Sequence, residues 1–196
     1  MTVDDFKTLL KGKTSSRDIC QDVLMGSDMW LVSHKKMGNS AQVYDRMTQF
    51  FASKLKMAKR NVAFVGSAKT GFSLHPDKNF RAFDDETSDI DVILVWPTKF
   101  GEFWTELLRM FYADRAQMVG DHRREIFRKF VTLRRDDQLP SAIFKDWHQS
   151  MDVLKRDFFT EFTVSNPIKY RIYESWDAAE AYHESGIEHL RASFGK

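Results

Sequence analysis

The sequence has little of what stabilises secreted proteins and nothing that would span a membrane. Cys20 is its only cysteine, so neither an intramolecular disulfide nor a zinc cluster of cysteines can form. No apolar run approaches the roughly 20 residues that a membrane helix needs. The acidic start Met1-Thr2-Val3-Asp4-Asp5 does not have the pattern of a signal peptide. We therefore expect a cytoplasmic protein that has no membrane partner.

Several common nucleotide and metal motifs are also missing. No G-x-x-x-x-G-K-[ST] or G-x-G-x-x-G string occurs, which disfavours P-loop and Rossmann nucleotide sites. Six histidines are scattered along the chain without a metal-ligand spacing such as H-x-x-x-H. Cys20 lies on a predicted helix face, and nothing indicates a histidine that would activate it as a nucleophile. Nucleotide binding would therefore depend on a different element.

The bulk composition is that of one folded domain. The chain has 196 residues, of which 42% are hydrophobic and 30% charged, as in an ordinary globular protein. We expect a single domain over residues 1–196, with residues 1–40 as an N-terminal helical extension. The formal charge of +2, from 30 basic and 28 acidic residues, does not by itself predict nucleic-acid binding. Nothing in the sequence indicates the oligomeric state.

Residues 61–96 contain two short apolar runs that are typical of buried strands. Val62-Ala63-Phe64-Val65 leads into Gly66-Ser67, and Ser88-Asp89-Ile90-Asp91 opens the second run, Val92-Ile93-Leu94-Val95. Residues i and i+2 of a strand point to the same side. The side chains of Asp89 and Asp91 should therefore project together from one face, at the entrance of the second strand.

Paired carboxylates beside a glycine turn suit a metal-assisted phosphate site. Magnesium prefers oxygen ligands and takes one or two carboxylates from protein, completing its shell with water and substrate phosphates. Two metals about 4 Å apart stabilise both the attacking and the leaving oxygen of a phosphoryl transfer. Gly66 lets the backbone approach a phosphate, and the Ser67 hydroxyl with nearby amides can hold its oxygens. The plainer interpretation is a generic α/β domain in which Gly66 forms a turn and both acids only solvate a strand end.

The Gly-Ser turn followed by a D-x-D strand resembles the polymerase-beta-type nucleotidyltransferase superfamily over about 35 residues. The strings Gly66-Ser67-x-x-x-Gly71-x-Ser73 and Thr87-Ser88-Asp89-Ile90-Asp91 look like those of the minimal nucleotidyltransferases. The resemblance implies that Gly66, Ser67 and Ser73 bind a nucleoside triphosphate, and that Asp89 and Asp91 hold Mg²⁺ or Mn²⁺. One departure is a long insert, residues 74–87, which changes the rim of the pocket.

The resemblance also implies a fold and an activity. The fold is an α/β (α+β) protein whose small mixed β-sheet is flanked by helices and preceded by N-terminal helices. The activity is Mg²⁺-dependent transfer of a nucleoside monophosphate from ATP or another triphosphate to a hydroxyl, with release of pyrophosphate. The acceptor would be a nucleic acid such as RNA, a protein or a small molecule.

The superfamily usually employs a third acidic residue on a later strand, and this sequence does not supply an obvious one. Asp137 is the first candidate and Glu174 the second, although Asp137 could equally form a turn. A basic group should offset the charge that develops in the transition state. Lys69 is a candidate only because it lies near the Gly-Ser turn. Arg81 and the basic cluster of residues 123–135 are the others, and that cluster is either a phosphate-binding surface or a solvated face.

Periodic patterns predict the remaining elements. The alternating string Ile168-Lys169-Tyr170-Arg171-Ile172-Tyr173 predicts a half-exposed strand. The first predicted helix begins after Thr2 and ends near Gly12, and the second begins at a Ser16 cap. A third helix is predicted from Ala41 to Arg60. Three more are predicted, one after Pro97, one after Pro140-Ser141 and one after a Ser175 cap.

Two other functions compete with an active transferase. One is a degenerate nucleotidyltransferase that binds nucleotide or a partner protein without turnover, which the doubtful third carboxylate favours. The other is a toxin, antitoxin or defence component that modifies RNA or a partner protein.

Five of the eight residues 84–91 are acidic, which favours a cation site, although residues 84–86 could form a solvated turn.

Overall fold

The computed structural model describes residues 1–115, 119–120, 122–137 and 139–194. Its strands β1 to β4 are Val62–Val65, Ile90–Val95, Phe130–Val131 and Ile168–Tyr173. Its helices α1 to α9 are Val3–Lys11, Ser16–Ile19, Trp30–His34, Ser40–Leu55, Ser67–Thr70, Pro97–Met110, His122–Phe127, Ala142–Phe162 and Trp176–Phe194. Two π-helical turns, Cys20–Leu24 and Phe111–Arg115, extend α2 and α6, and the 3-10 turns are Lys59–Asn61, Pro76–Lys78 and Arg135–Asp137.

The four strands form one mixed sheet in the order β1-β2-β4-β3. Strand β2 is antiparallel to β1 and parallel to β4, and β3 is antiparallel to β4. The register places Val65 on one side of Asp91 and Lys169 on the other. This mixed sheet with flanking helices confirms the predicted fold class.

One face of the sheet is a continuous apolar core. It packs against α4, α6 and α8, with aromatic rings at the centre: the Phe51 ring of α4 lies 5.5 Å from the Phe64 ring of β1 and 5.4 Å from the Phe158 ring of α8. Burying one such side chain stabilises the fold by roughly 2–3 kcal/mol. The strand residues buried in this core include Val62, Phe64, Ile90, Val92, Leu94 and Ile172.

The opposite face of the sheet is divided into an apolar and a charged part. Ile93, Val95 and Tyr173 are buried there beside Ala179 of α9. Side chains alternate along a strand, so Asp91 of β2 and Lys169 and Arg171 of β4 lie on this same face. The charged part is at the ends where β2 and β4 begin and β1 finishes.

The N-terminal helices pack on α9. Phe6 and Leu10 of α1 and Ile19 of α2 share a buried cluster with Ile187 and Leu190 of α9, and Phe72 and Phe80 complete it. The Arg191 guanidinium of α9 donates a hydrogen bond to the Thr14 carbonyl oxygen at 2.6 Å. Helix α9 therefore contacts the N-terminal helices as well as the sheet.

Most predicted elements are confirmed, and two boundaries differ. The Thr2 capping box and the Ser175 cap are present, and β4 has the predicted bounds. The helix predicted to end at Arg60 ends at Leu55, because Lys56 adopts a left-handed conformation with φ of 55°. Ser15 rather than Ser16 caps α2, since its hydroxyl accepts a hydrogen bond from the Asp18 amide at 3.0 Å.

The basic segment 123–135 combines two kinds of structure. Its first part belongs to α7 and its middle to the short strand β3, which pairs with β4. Lys129, between them, has a positive φ of 59° and forms the corner. Among the described helices, none has the length and apolar character needed to cross a bilayer.

Candidate functional site

The Gly-Ser turn lies where β1 meets the acidic end of β2. Gly66 has φ of +71°, a conformation that side-chain-bearing residues rarely adopt, and Ser67 begins the short helix α5. A Cβ atom at position 66 would overlap the Asp91 carboxylate. Glycine is therefore required here for two reasons, the backbone angle and the close approach of an acid.

Asp89 and Asp91 have the arrangement that the strand period predicts. Asp91 lies inside β2 and Asp89 immediately precedes it. Both side chains are partly accessible, with 30% of Asp89 and 24% of Asp91 exposed. Burial raises the pKa of Asp91 above its ordinary value, and the charge of Arg171 opposes that shift.

Each carboxylate faces a cation from β4. The Lys169 Nζ atom lies 2.6 Å from Asp89 Oδ2, and an Arg171 guanidinium nitrogen lies 3.9 Å from Asp91 Oδ1. This strand is the later strand beside the D-x-D pair, where the resemblance leads one to expect a third acid. It presents a lysine and an arginine on that face instead.

Sequence reasoning did not assign Lys169 and Arg171 to the site. Their alternation in the predicted strand was visible, and it placed both on one face. The missing information was which strand lies beside β2, since the pairing joins segments far apart in the chain. Had β4 been placed next to β2, the same period-two rule would have identified them.

A cavity of about 870 Å³ opens on this charged part of the sheet. Gly66, Ser67, Asp89 and Asp91 line its floor, and α9 forms one wall with Tyr182 and other residues. Ser73 also lines the cavity, and the insert that follows it contributes further lining residues. Among the described lining residues, three are acidic, Asp77, Asp89 and Asp91, and six are basic, Lys78, Arg81, Arg128, Lys129, Lys169 and Arg171. We call this space the cationic cavity.

The two candidates for the third acid lie elsewhere. Asp137 accepts a hydrogen bond from the Arg134 amide at 2.6 Å and has Oδ2 3.5 Å from Nε2 of the buried His122. Glu174 pairs with Lys129, with Nζ 2.8 Å from the carboxylate. Neither belongs to the described lining of the cationic cavity. The structure thus separates Asp137 from Asp89 and Asp91, the other two residues predicted to be catalytic.

Lys69 also lies away from the cationic cavity. Its side chain is only 4% exposed, its ammonium donates to the Gly26 carbonyl oxygen, and it stands 4.5 Å from the centroid of the Tyr44 ring. Burial lowers the pKa of Lys69 to about 8, against a smaller opposing effect of Asp28. The predicted nucleotide-binding role of Lys69 has no support in this geometry, because the short helix α5 directs the side chain into the protein.

The basic cluster of residues 123–135 is divided between two environments. Arg128 and Lys129 line the cationic cavity. Arg123 lies over the Phe111 ring, Arg134 pairs with Glu125, and Arg135 pairs with Asp152. Within this cluster, Arg128 and Lys129 are therefore the residues at the cavity, and Arg123, Arg134 and Arg135 have partners outside its lining.

The acidic residues 84–86, which precede β2, form a hydrogen-bonded turn. The Asp84 carboxylate accepts hydrogen bonds from the Glu86 and Thr87 amides, and Asp85 pairs with Lys35 at 2.8 Å and His34 at 3.0 Å. The Thr87 hydroxyl, which also donates to Asp84, and these amides hold the pKa of Asp84 below the ordinary value, and Lys35 and His34 do the same for Asp85. The solvated-turn interpretation fits Asp84 and Asp85.

The donor set fits magnesium poorly. Asp89 and Asp91 are oxygen donors of the right kind, but each already faces an internal cation. Across the described ranges, no three His, Cys, Asp or Glu side chains converge as a metal site. A two-metal centre needs carboxylates that are free to bind both ions.

Comparisons with protein-family models, with curated proteins and with solved structures found no match to this chain.

Proposed function

We propose that this protein has a nucleotidyltransferase-like core that binds a nucleoside triphosphate in the cationic cavity without transferring the nucleotide. The observation that carries the proposal is the charged face of β4. Lys169 and Arg171 stand beside the D-x-D pair, where an active member of the superfamily would be expected to have its third acid. A carboxylate there would help to deprotonate an attacking hydroxyl. A protonated lysine or arginine does not accept that proton.

Phosphate binding is supported by the charge and the backbone of the cavity. Six Lys or Arg side chains line it against three Asp side chains, so its field attracts anions. The Gly66-Ser67 turn adds a hydroxyl and a backbone free of side-chain obstruction. Ser73 and, from the insert, Arg81 contribute further donors. These groups suit the oxygens of a polyphosphate.

A nucleoside, rather than phosphate alone, is supported by two aromatic side chains in the lining. Phe127 at the end of α7 is almost fully exposed, and Tyr182 lies on the α9 wall. Arg171 and Arg128 stand over the Tyr182 ring at 5.3 and 5.9 Å from its centroid. Stacking a base on an aromatic ring contributes roughly 1–3 kcal/mol to binding. Because guanidinium groups already lie over the Tyr182 ring, the exposed Phe127 ring is the one available to stack on a base.

The test measures binding and turnover on the same preparation. Isothermal titration calorimetry with ATP, GTP, CTP and UTP should detect binding of at least one triphosphate. The Arg171→Ala variant should weaken that binding, whereas Lys155→Ala, an exposed lysine of α8 outside the cavity lining, should leave it unchanged. Pyrophosphate release should stay at the level of a blank with Mg²⁺ or Mn²⁺ present.

An active transferase is the second candidate, and the shared face of Asp89 and Asp91 beside Gly66 favours it. Release of pyrophosphate that disappears in both Asp89→Asn and Asp91→Asn would establish this candidate in place of ours. Mass spectrometry of RNA and protein incubated with the triphosphate would then identify the acceptor. Failure of every triphosphate to bind would contradict both.

A further inference from the structure

The cationic cavity holds its own positive charges at the place where a nucleotide site usually holds a metal. Lys169 lies directly across from Asp91 in the parallel register, and its ammonium contacts Asp89 at 2.6 Å. Arg171, two residues further along the same face, has a guanidinium nitrogen 3.9 Å from Asp91. A divalent ion bound between the two carboxylates would therefore lie next to an ammonium group, and like charges repel at that distance.

Lys169 is placed so that it can contact an acid and a ligand together. Its side chain is 61% exposed, and an ammonium group has three N–H donors. One donor on Asp89 leaves two for phosphate oxygens in the cavity. Arg171 is 29% exposed, and the nitrogen that pairs with Asp91 lies 3.9 Å away, too far for a hydrogen bond, so its donors remain for phosphate oxygens.

The other cations of the lining come from two further segments of the chain. Lys78 and Arg81 belong to the insert after α5, and Arg128 and Lys129 lie between α7 and β3. The histidine at position 183 adds no charge near neutral pH, because burial and Arg171 lower its pKa to about 3. Six cations against three carboxylates leave a net positive lining before any metal is added. Neutralising phosphate charge is the task that magnesium performs in a metal-dependent site.

We infer that the protein binds its polyphosphate ligand in the metal-free form, with Lys169 occupying the position of the divalent ion. This inference rests on the proposed nucleotide-binding function and specifies the ionic form of the ligand. Asp89 and Asp91 then act as holders of Lys169 and Arg171, which are residues that bind the phosphates. Magnesium lowers the affinity, because it competes with the protein for the same oxygens.

The main experiment compares triphosphate affinity in EDTA with affinity in excess Mg²⁺, using calorimetry on the full chain. We expect tighter binding in EDTA than in excess Mg²⁺, and equal affinity in both would contradict the competition by magnesium. Lys169→Ala should lose about tenfold to a hundredfold in affinity in EDTA, the usual worth of a charged hydrogen bond. Magnesium should restore part of this loss in the variant, since Asp89 is then free. Lys155→Ala is the matched control.

A second measurement detects the metal alone. Electron paramagnetic resonance of added Mn²⁺ should show no tight site in the wild-type protein at neutral pH. Lys169→Asp, which places a third carboxylate beside the pair, should create one. Circular dichroism before each measurement checks that the variant is folded, and the exposed position of Lys169 makes both substitutions compatible with folding.

The outcomes separate this inference from the function on which it rests. Triphosphate binding that needs Mg²⁺ and disappears in EDTA would overturn the inference and leave the binding function standing. Tight Mn²⁺ binding by the wild-type protein would overturn it as well. Binding of inorganic tripolyphosphate in EDTA without binding of any nucleotide would support the role of Lys169 and contradict the nucleotide-binding function.

Discussion

The two faces of the β2–β4 pair differ in composition and burial although they share the same backbone. On one face Ile90, Val92 and Leu94 are buried beneath helices, and nothing there is charged. On the other face the same strands present Asp91, Lys169 and Arg171 to a cavity. The single register of the parallel β2–β4 pair determines which side chains are adjacent on each of the two faces. The first face stabilises the sheet, and the second uses that sheet to hold these three charged groups in register.

The largest effect should come from the apolar face. Phe64→Ala should lower the free energy of unfolding by about 3–5 kcal/mol, because it removes a fully buried ring that packs against Phe51 and Tyr44. Arg171→Ala, on the charged face, is the matched comparison and should cost far less. Urea denaturation of both variants measures the difference. Equal losses would break the proposed division between a stabilising face and a binding face.

Lys69 extends the comparison to a cation that is buried in the fold rather than displayed in the cavity. Its pKa is about 8 in the folded protein and 10.5 when solvated, so the unfolded chain binds more protons between these values. Stability contributed through Lys69 therefore rises as pH increases through this window, by at most about 3 kcal/mol. Below pH 8 both states are protonated and the full cost of burial remains.

The measurement compares urea unfolding of wild type and Lys69→Met from pH 7 to pH 10. The variant has no titrating group at this position, so its difference from wild type should change in favour of wild type as pH rises. Cys20, whose pKa burial raises to about 12, affects both proteins equally. A difference that stays constant with pH would show that Lys69 has an ordinary pKa.

Gly66→Ala should act on both stability and binding. The positive φ and the overlap of the new methyl group with the Asp91 carboxylate should cost about 1–3 kcal/mol. Nucleotide affinity should fall as well, since Asp91 and Arg171 must move. Gly101→Ala is the control, because a Cβ there meets no atom within 4 Å and alanine favours the helix. Equal behaviour of the two variants would remove the structural reason for glycine at position 66.

The smallest effect on stability should come from the charged face itself. Asp89→Asn breaks an ion pair with a largely exposed lysine, which should cost less than about 1 kcal/mol. Triphosphate affinity should fall, although less than in Lys169→Ala, because asparagine no longer holds the Lys169 ammonium by its charge. Calorimetry in EDTA checks this prediction. A gain of affinity would contradict the holding role of Asp89.

Local patterns predicted β1, β2 and β4, but not β3, and the shared face of Asp89 and Asp91, because these features depend on neighbours within a few residues. The bounds of β4 were equally readable from its alternation. The neighbours of Lys169 could not be predicted from the sequence. A lysine in a half-exposed strand does not indicate which strand pairs with its own. Lys69 shows that closeness in sequence does not imply closeness to the site. It is two residues from Ser67, but the short helix α5 directs its side chain to Gly26, and it does not line the cavity.

The helix that closes the cavity also supports the other end of the protein. Helix α9 lines the cavity with Tyr182, and about two turns later its Ile187 and Leu190 hold α1 and α2. A molecule that binds the amino-terminal helices would therefore contact elements that pack directly on α9. A fusion or binding partner at the first residues of the chain should change the position of α9 and, through it, the shape of the cavity.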